Sequence, residues 1–298
     1  MSVLIVGTGA LACLFAARLA GVGSDVTMMG NWPDGVAALR RDGACLHDLD
    51  GNVRKVRVNV MDGPLSRGSF GSALVLVKSW QTQRSAIQIE NCLALDGVAL
   101  TLQNGLGNDG ILREYLGAER VASGVTTLGA RMLEPGHVQL TGNGKVTLGM
   151  HPHLGKFVEL FKTAGFQVEV IPDLVALQWG KLVINAAINP LTALLRVPNG
   201  ELLQRAAART LMTEAAQEAA RVAIEMGIRL PYDDPVQAVE GVARNTAANT
   251  SSMLQDVLRG TPTEIDAING AIIQAGESLG LLVPLTRVLY RLVKSLDG

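Results

Sequence analysis

With 298 residues, 48% of them hydrophobic and 18% charged, the chain is long enough for two hydrophobic cores and too apolar to be a disordered segment. Lys and Arg total 26 against 27 for Asp and Glu, so there is no basic field to hold a polyanion, and nucleic acid is not expected as a partner. Cys13, Cys45 and Cys92 show no CxxC spacing, residues 1–6 carry no basic segment, and no run of about 18 apolar residues occurs, so the expectation is a cytoplasmic protein with reduced thiols, no metal and no membrane partner.

From Val3 to about Ile171 short β-branched runs alternate with helical patterns, which predicts βαβ units on a parallel sheet, with aliphatic side chains filling a core poor in aromatics. The clearest strands are Val3–Val6, Asp25–Met29, Ala73–Val77 and Val98–Leu102. The first leads into Gly7-Thr8-Gly9-Ala10-Leu11-Ala12, which opens a helical pattern. At that position Gly7 permits a sharp turn, Gly9 lets the backbone approach a pyrophosphate, and Ala12 allows close helix-to-strand packing, while the helix N-terminus offers N–H groups to the anion. An ordinary strand-to-helix turn is the alternative for so short a motif. The second strand ends in Met28-Met29-Gly30-Asn31, without the carboxylate that binds the adenine-ribose diol of NAD. That favours NADP(H), although no arginine stands there either, and Arg40 or Arg41 would have to reach in from the next helix.

Period-2 segments at Gly43–Val60 and Gly129–Gly149 are joined by Asp50-Gly51, Pro135-Gly136 and Asn143-Gly144, which predicts antiparallel hairpins added to the sheet. Lys78 and Asn104 follow later strands, where ligands gather in open α/β sheets. A solvated charge at Lys78, and a turn closed by an Asx hydrogen bond at Asn104-Gly105, account for the same residues. His151 and His153 flank Pro152 in a loop and have no cysteine or acid cluster nearby.

After Pro172 strand signals vanish and apolar residues recur at helical spacing to Leu296, with Gly227, Pro231, Gly280 and Pro284 punctuating helix ends. The predicted division is a dinucleotide-binding domain over 1–172 and a helical domain over 173–298. Within the second, Lys181, Asn185 and Asn189 recur every four residues and share one helix face, while Leu182, Val183, Ile184 and Ile188 cover the others. Burying an amine and two amides without partners would cost several kcal/mol, so the stripe must meet water, a polar ligand or another polar segment. A solvated face would carry more charge, and asparagine is a poor helix former, so a cleft-lining face is favoured. Pro190 is expected to kink this helix without ending it. Thr261-Pro262-Thr263-Glu264 looks like a helix start, in which Glu264 would merely favour the positive end of a helix dipole; Asp256 and Asp266 read as structural or exposed acids.

Taken in order, Gly7-Thr-Gly9-Ala-Leu, Lys78-Ser-Trp-Gln, Gln103-Asn-Gly-Leu-Gly, Lys181 through Ala193, Pro198-Asn-Gly-Glu-Leu and Ser251-Ser-Met-Leu-Gln-Asp through Gly270 resemble the motifs of the ketopantoate reductase (2-dehydropantoate 2-reductase) family, over essentially the whole chain. The resemblance implies a Rossmann-type α/β domain followed by an all-helical domain. It implies a cytoplasmic, NADPH-dependent reduction of 2-dehydropantoate to pantoate in pantothenate biosynthesis, with a small 2-oxo acid as substrate. A homodimer is compatible with it. By the same resemblance Lys181 and Glu264 are the catalytic pair, Lys181 as the catalytic lysine and Glu264 as the substrate-binding glutamate. Asn104, Asn185, Asn189, Asn199, Asn249 and Ser252 are then substrate contacts, and Gly7, Thr8, Gly9, Ala10, Leu11, Asn31, Lys78 and Asn104 contact the cofactor. Two positions depart from the family pattern: Ala12 stands for a frequent glycine, and Asn31 stands near where several members place an arginine for the 2′-phosphate. Gly180, just before Lys181, could loosen the start of the catalytic helix.

Chemically, a half-buried ammonium has a lowered pKa and can hand a proton to a developing oxyanion, which arginine cannot do. Neutral amides suit an anionic substrate, and Glu264 would grip its terminal hydroxyl. A reductase of another 2-oxo acid, and a non-catalytic NADPH-binding sensor, are the competing readings. The whole scheme requires Lys181 and Glu264 to converge across a crevice from the glycine turn.

Overall fold

The computed structural model describes residues 2–61 and 68–296. These form two compact units, one made of the residues up to Gln103 with Asn108–Leu174, the other of Asn104–Gly107 with Val175 onward.

The first unit runs β1 Ser2–Val6, α1 Ala10–Gly21, β2 Asp25–Met29, α2 Pro33–Asp42, β3 Ala44–His47, β4 Val53–Val56, β5 Asn59–Val60, β6 Phe70–Val75, α3 Thr82–Glu90, β7 Leu93–Thr101, α4 Asn108–Leu116, β8 Val121–Thr126, β9 Gly129–Glu134, β10 His137–Gly142, β11 Lys145–Gly149, α5 Gly155–Thr163 and β12 Gln167–Ile171. Its larger sheet has the order β12-β11-β8-β7-β6-β1-β2-β5, parallel except where β11 meets β8. β1 lies between β2 and β6, so the chain reverses its direction of winding at the carboxyl ends of β1 and β6. Such a switch point opens a crevice for a ligand. The strands at the centre are apolar on both faces because both are covered. Val3, Ile5, Val26 and Leu74 pack with α1 and α5 on one side; Leu4, Val6, Ala73 and Val75 pack with α3 and α4 on the other.

The hairpins β3–β4 and β9–β10 do not extend the main sheet; they form a separate four-stranded sheet of order β4-β3-β10-β9, in which β3 and β10 run parallel. This second layer covers α1, which explains why that helix buries almost every side chain from Ala12 to Leu19. The Asn143-Gly144 dipeptide makes no hairpin, since β10 and β11 belong to different sheets. Gly144 is small for another reason: a Cβ there would lie 2.4 Å from the Thr127 backbone. The aliphatic core also has an aromatic centre, because Phe15, Phe157, Phe161 and Phe166 cluster, with the Phe15 and Phe166 rings stacked at 4.4 Å.

The second unit comprises α6 Val175–Leu195, α7 Glu201–Gln204, α8 Ala206–Glu225, α9 Pro235–Asn245, α10 Ser252–Leu258, a π-helical turn over Asp266–Gly270, α11 Ala271–Ser278 and α12 Pro284–Lys294. Among the described residues no helix is long and apolar enough to cross a membrane. α6 continues through Pro190. A proline has no N–H, so the Ala186 carbonyl four residues earlier loses its helical donor. The fully buried Asn269, in the π-helical turn, supplies one: its Nδ2 donates to the Ala186 carbonyl at 3.1 Å. Asn269→Leu should therefore destabilise the chain by about 1–3 kcal/mol, the cost of a buried carbonyl left without a donor. Adding Pro190→Ala, which restores the backbone N–H, should recover a substantial part of that loss. Urea unfolding of the two single variants and the double variant measures the coupling, and strict additivity would contradict it.

Candidate active site

In the first unit the turn after β1 is shaped by contacts that only glycine allows. Gly7 has φ of +133°, and a Cβ there would lie 3.0 Å from the Leu76 carbonyl, so the ends of β1 and β6 meet backbone to backbone. The Gly7 N–H donates to the Met29 carbonyl at 2.7 Å, which ties in the end of β2. Gly30 leaves room for the buried Thr8, since a Cβ at 30 would lie 2.8 Å from Thr8 Oγ1. Gly9 is the N-cap of α1; a Cβ on it would meet nothing within 4 Å, no side chain caps the helix, and no acid occupies its first turn. The N–H groups of Ala10 and Leu11 therefore open a helix whose positive end faces open space beside Gly9. A cradle with room at Gly9, helix-end donors and no competing carboxylate fits the pyrophosphate of a dinucleotide.

Asn31 is exposed just beyond β2, with no carboxylate at positions 30–32. The nearby arginines are engaged elsewhere: Arg40 donates to the Met61 carbonyl at 3.2 Å, and Arg41 to Asp42 at 2.7 Å. Lys78 is half-buried two residues after Leu76, at the switch point, and its backbone N–H donates to Gln81 Oε1 at 3.3 Å. Gln103 fastens the neighbouring strand end, donating through Nε2 to the Val77 carbonyl at 3.0 Å and to Thr82 Oγ1 at 2.8 Å.

The second unit brings Lys181, Asn104 and Glu264 together. Lys181 Nζ donates to Asn104 Oδ1 at 2.8 Å, and Asn104 Nδ2 donates to Glu264 Oε2 at 3.3 Å. The Asn104 amide thus sets its oxygen toward the ammonium and its nitrogen toward the carboxylate. Burial drives the Lys181 ammonium down from 10.5 to about 8, with the Glu264 charge opposing the shift. Glu264 is only 4% exposed, and it precedes the helix, which begins at Ile265. Its carbonyl accepts from the Ile268 N–H at 3.1 Å, so the helix start expected at Thr261-Pro262-Thr263-Glu264 is present, and what the sequence did not show is that the Glu264 side chain is buried against Asn104. Of the other two acids, Asp256 is buried and Asp266 is exposed, where it accepts from Tyr290 and Lys294.

The segment carrying Asn104 is docked by its neighbour. Leu106 N–H donates to the Ala267 carbonyl at 3.0 Å, inside the π-helical turn where the regular α-helical ladder is interrupted. Gly105 has φ of +79°, and a Cβ there would lie 2.5 Å from the same carbonyl, so glycine is required. Gly180 does not loosen α6. It admits Pro231, whose Cγ would lie 2.5 Å from a Cβ at 180, and its carbonyl accepts from Tyr232 Oη at 3.0 Å.

The polar stripe of α6 is divided by burial. Lys181 and Asn185 are half-buried, whereas Asn189 is 6% exposed. Asn199 is also buried; its N–H donates to the Asn249 carbonyl at 3.0 Å and its Nδ2 to Thr246 Oγ1 at 2.9 Å. Ser252 is the first residue of α10, and the cap is Ser251, whose hydroxyl accepts from the Leu254 N–H at 3.1 Å and shares a 2.7 Å hydrogen bond with Thr192 of α6. Gln103, Ser251 and Asn269 stand in the motifs quoted from the sequence without a role of their own, and Tyr232 is absent from them. Asn269 had a signal: a proline inside a helix calls for a donor to the carbonyl four residues earlier.

The sequence matches the family described as ketopantoate reductase PanE/ApbA over residues 3–153, and the ketopantoate reductase PanE/ApbA C-terminal family over residues 173–297. It is 32% identical to the 2-dehydropantoate 2-reductase of Pyrococcus horikoshii, over 100% of this chain and 98% of that protein. The crystal structure of a PanE/ApbA family ketopantoate reductase from Ralstonia eutropha JMP134 superposes with a TM-score of 0.91 at 32% identity, covering 100% of this chain and 98% of the other. The ternary structure of D-mandelate dehydrogenase with NADH and anilino(oxo)acetate gives a TM-score of 0.92 at 24% identity, covering 100% and 98%, which is a likeness of fold.

Proposed function

The chain belongs to the ketopantoate reductase family of oxidoreductases, and on that premise we propose that it reduces 2-dehydropantoate to pantoate with NADPH, a cytoplasmic step of pantothenate biosynthesis. The observation that carries the reading is the Lys181–Asn104–Glu264 array: a proton donor with a lowered pKa and a buried acceptor held apart by one amide.

When bound, the reduced nicotinamide supplies a hydride to the substrate's carbonyl carbon, and negative charge gathers on the carbonyl oxygen. Lys181 donates its Nζ proton to that oxygen. Asn104, accepting from the same ammonium, fixes the direction in which it points. Glu264 accepts a hydrogen bond from the hydroxyl at the far end of 2-dehydropantoate. Asn185, Asn249 and Ser252 hold the substrate carboxylate with neutral donors, while the buried Asn189 and Asn199 keep the walls of the pocket in place. In the first unit the N–H groups of the Gly9–Leu11 turn would hold the pyrophosphate, and Thr8 and Lys78 are the further residues that would contact the cofactor.

The competing substrate is a 2-oxo acid without a terminal hydroxyl, since one fold can host several chemistries and the D-mandelate dehydrogenase solved with NADH and anilino(oxo)acetate has a similar fold. Steady oxidation of NADPH with 2-dehydropantoate, and little with the analogue bearing methyl in place of hydroxymethyl, is the expected assay result. Equal turnover of both would assign the other substrate class, and binding of NADPH without turnover of any 2-oxo acid would make the protein a sensor.

NADPH should also give the higher kcat/KM of the two dinucleotides, because no carboxylate follows β2 to repel a 2′-phosphate. Asn31→Asp should raise the KM for NADPH by roughly tenfold, the scale of one like-charge contact near the surface, with little change for NADH. An unchanged ratio between the two cofactors would place the 2′-phosphate elsewhere.

A further inference from the structure

The outer face of the four-stranded sheet carries a cluster that the reductase chemistry leaves unused. Cys45 and His47 are two apart on β3 and share a face, and His137 of β10 stands beside Cys45 in the parallel register. Their neighbours Ala44, Leu46 and Val138 point the other way, into the core with α1. The ligand atoms of Cys45, His47 and His137 all lie within 4.8 Å of one another, and Cys45 Sγ is 3.8 Å from His47 Nε2.

We propose that Cys45, His47 and His137 form a Zn2+ site with one thiolate, two imidazoles and a water in the fourth position. Zinc–sulfur and zinc–nitrogen bonds of about 2.3 and 2.0 Å in a tetrahedron put the donors roughly 3.5 Å apart, close to the 3.8 Å between Cys45 Sγ and His47 Nε2 and below the 4.8 Å within which all three donors lie. A thiolate with two imidazoles selects a borderline-soft ion over Mg2+ or Ca2+. The surroundings suit a cation. Glu134, opposite His137 in the β9–β10 ladder, has Oε1 3.5 Å from His137 Nδ1, the carboxylate–histidine pairing that orients metal-bound imidazoles. Lys55, opposite Cys45 on β4, is drawn toward Asp42 at 3.2 Å. The thiol gives up its proton to solvent as the metal binds. The ion would bolt β3 to β10, the pair that joins the two hairpins, and it shares no residue with the Lys181 array. The sequence conceals the site because Cys-x-His followed ninety residues later by a lone His matches no ligand spacing.

Co2+ titration of the full-length protein tests this. The wild type should bind one Co2+ with a near-ultraviolet thiolate-to-cobalt charge-transfer band, be displaced by one equivalent of Zn2+, and melt at a higher temperature with Zn2+ present. Cys45→Ser should abolish the band. His47→Gln and His137→Gln should each weaken Co2+ binding at least about tenfold, and Glu134→Gln by roughly tenfold, the usual scale for an orienting partner. None of these variants should alter NADPH turnover, so failure here is separable from failure of the reductase assignment. The proposal is overturned if wild-type protein shows no charge-transfer band, or if both histidine variants bind Co2+ as the wild type does.

Discussion

Lys181→Ala should lower kcat for 2-oxo acid reduction by about 10²–10⁴-fold, the range for losing a positioned proton donor. The amine is the group in the array able to deliver a proton to an oxyanion, since Asn104 offers only an amide N–H and Glu264 is turned toward that amide. A methyl side chain also leaves the buried Glu264 carboxylate without its nearby cation, so thermal melting of the variant must accompany the kinetics. A folded Lys181→Ala protein with turnover near that of wild type would remove the lysine from the mechanism.

The same residue fixes the expected pH dependence. With its pKa brought down to about 8, Lys181 is charged below that pH and neutral above it. Reduction needs the charged form, so kcat/KM for reduction should fall about tenfold per pH unit above roughly pH 8, while the reverse oxidation, which needs the neutral amine as base, should rise through the same range. Lys181→Arg keeps the charge but cannot release the proton, and should lose both the rate and the alkaline limb. A limb retained in the arginine variant would belong to another group.

How much of this could be read beforehand depends on how local the cause is. The Gly7–Leu11 turn was legible because a Gly-x-Gly placed directly between a strand and a helix is a local pattern; the second reason for Gly7, the approach of the Leu76 backbone at the end of β6, comes from a distant part of the chain and was not. The Lys181 stripe was legible because helical period and the poor propensity of asparagine conflict unless something polar waits opposite. The second sheet was not, because the β3–β10 pairing links residues ninety positions apart and no alternation pattern tells which sheet a hairpin joins. Glu264 looked like a dipole-favouring acid because Thr-Pro-Thr-Glu fits a helix start; its burial depends on Asn104, which belongs by packing to the second unit although the sequence places it at the end of a strand of the first. Gly180 was read as flexibility, and only the side chain of Pro231 shows that it is a contact. The π-helical turn has no sequence signature, and the Ala186 carbonyl it satisfies is the nearest thing to one.

Glu264→Gln should separate substrate recognition from catalysis. If the carboxylate accepts from the terminal hydroxyl of 2-dehydropantoate, the amide, which is uncharged and keeps a single acceptor oxygen, should cost about 10²-fold in kcat/KM for that substrate, as expected when a charge-assisted hydrogen bond is lost in a desolvated site. The analogue bearing methyl in place of hydroxymethyl has no such bond to lose, so its small kcat/KM should change little, and the ratio between the two acids should collapse. A second consequence follows from the charge. Glu264 holds the Lys181 pKa up against burial, so its neutralisation should move the alkaline limb of the reduction profile to lower pH, with both acids as substrate. The two effects have different origins and can be scored separately. A shifted limb with unaltered discrimination would keep Glu264 as the electrostatic partner of Lys181 and assign the hydroxyl to another residue, whereas lost discrimination with an unmoved limb would mean that the carboxylate acts on the substrate alone.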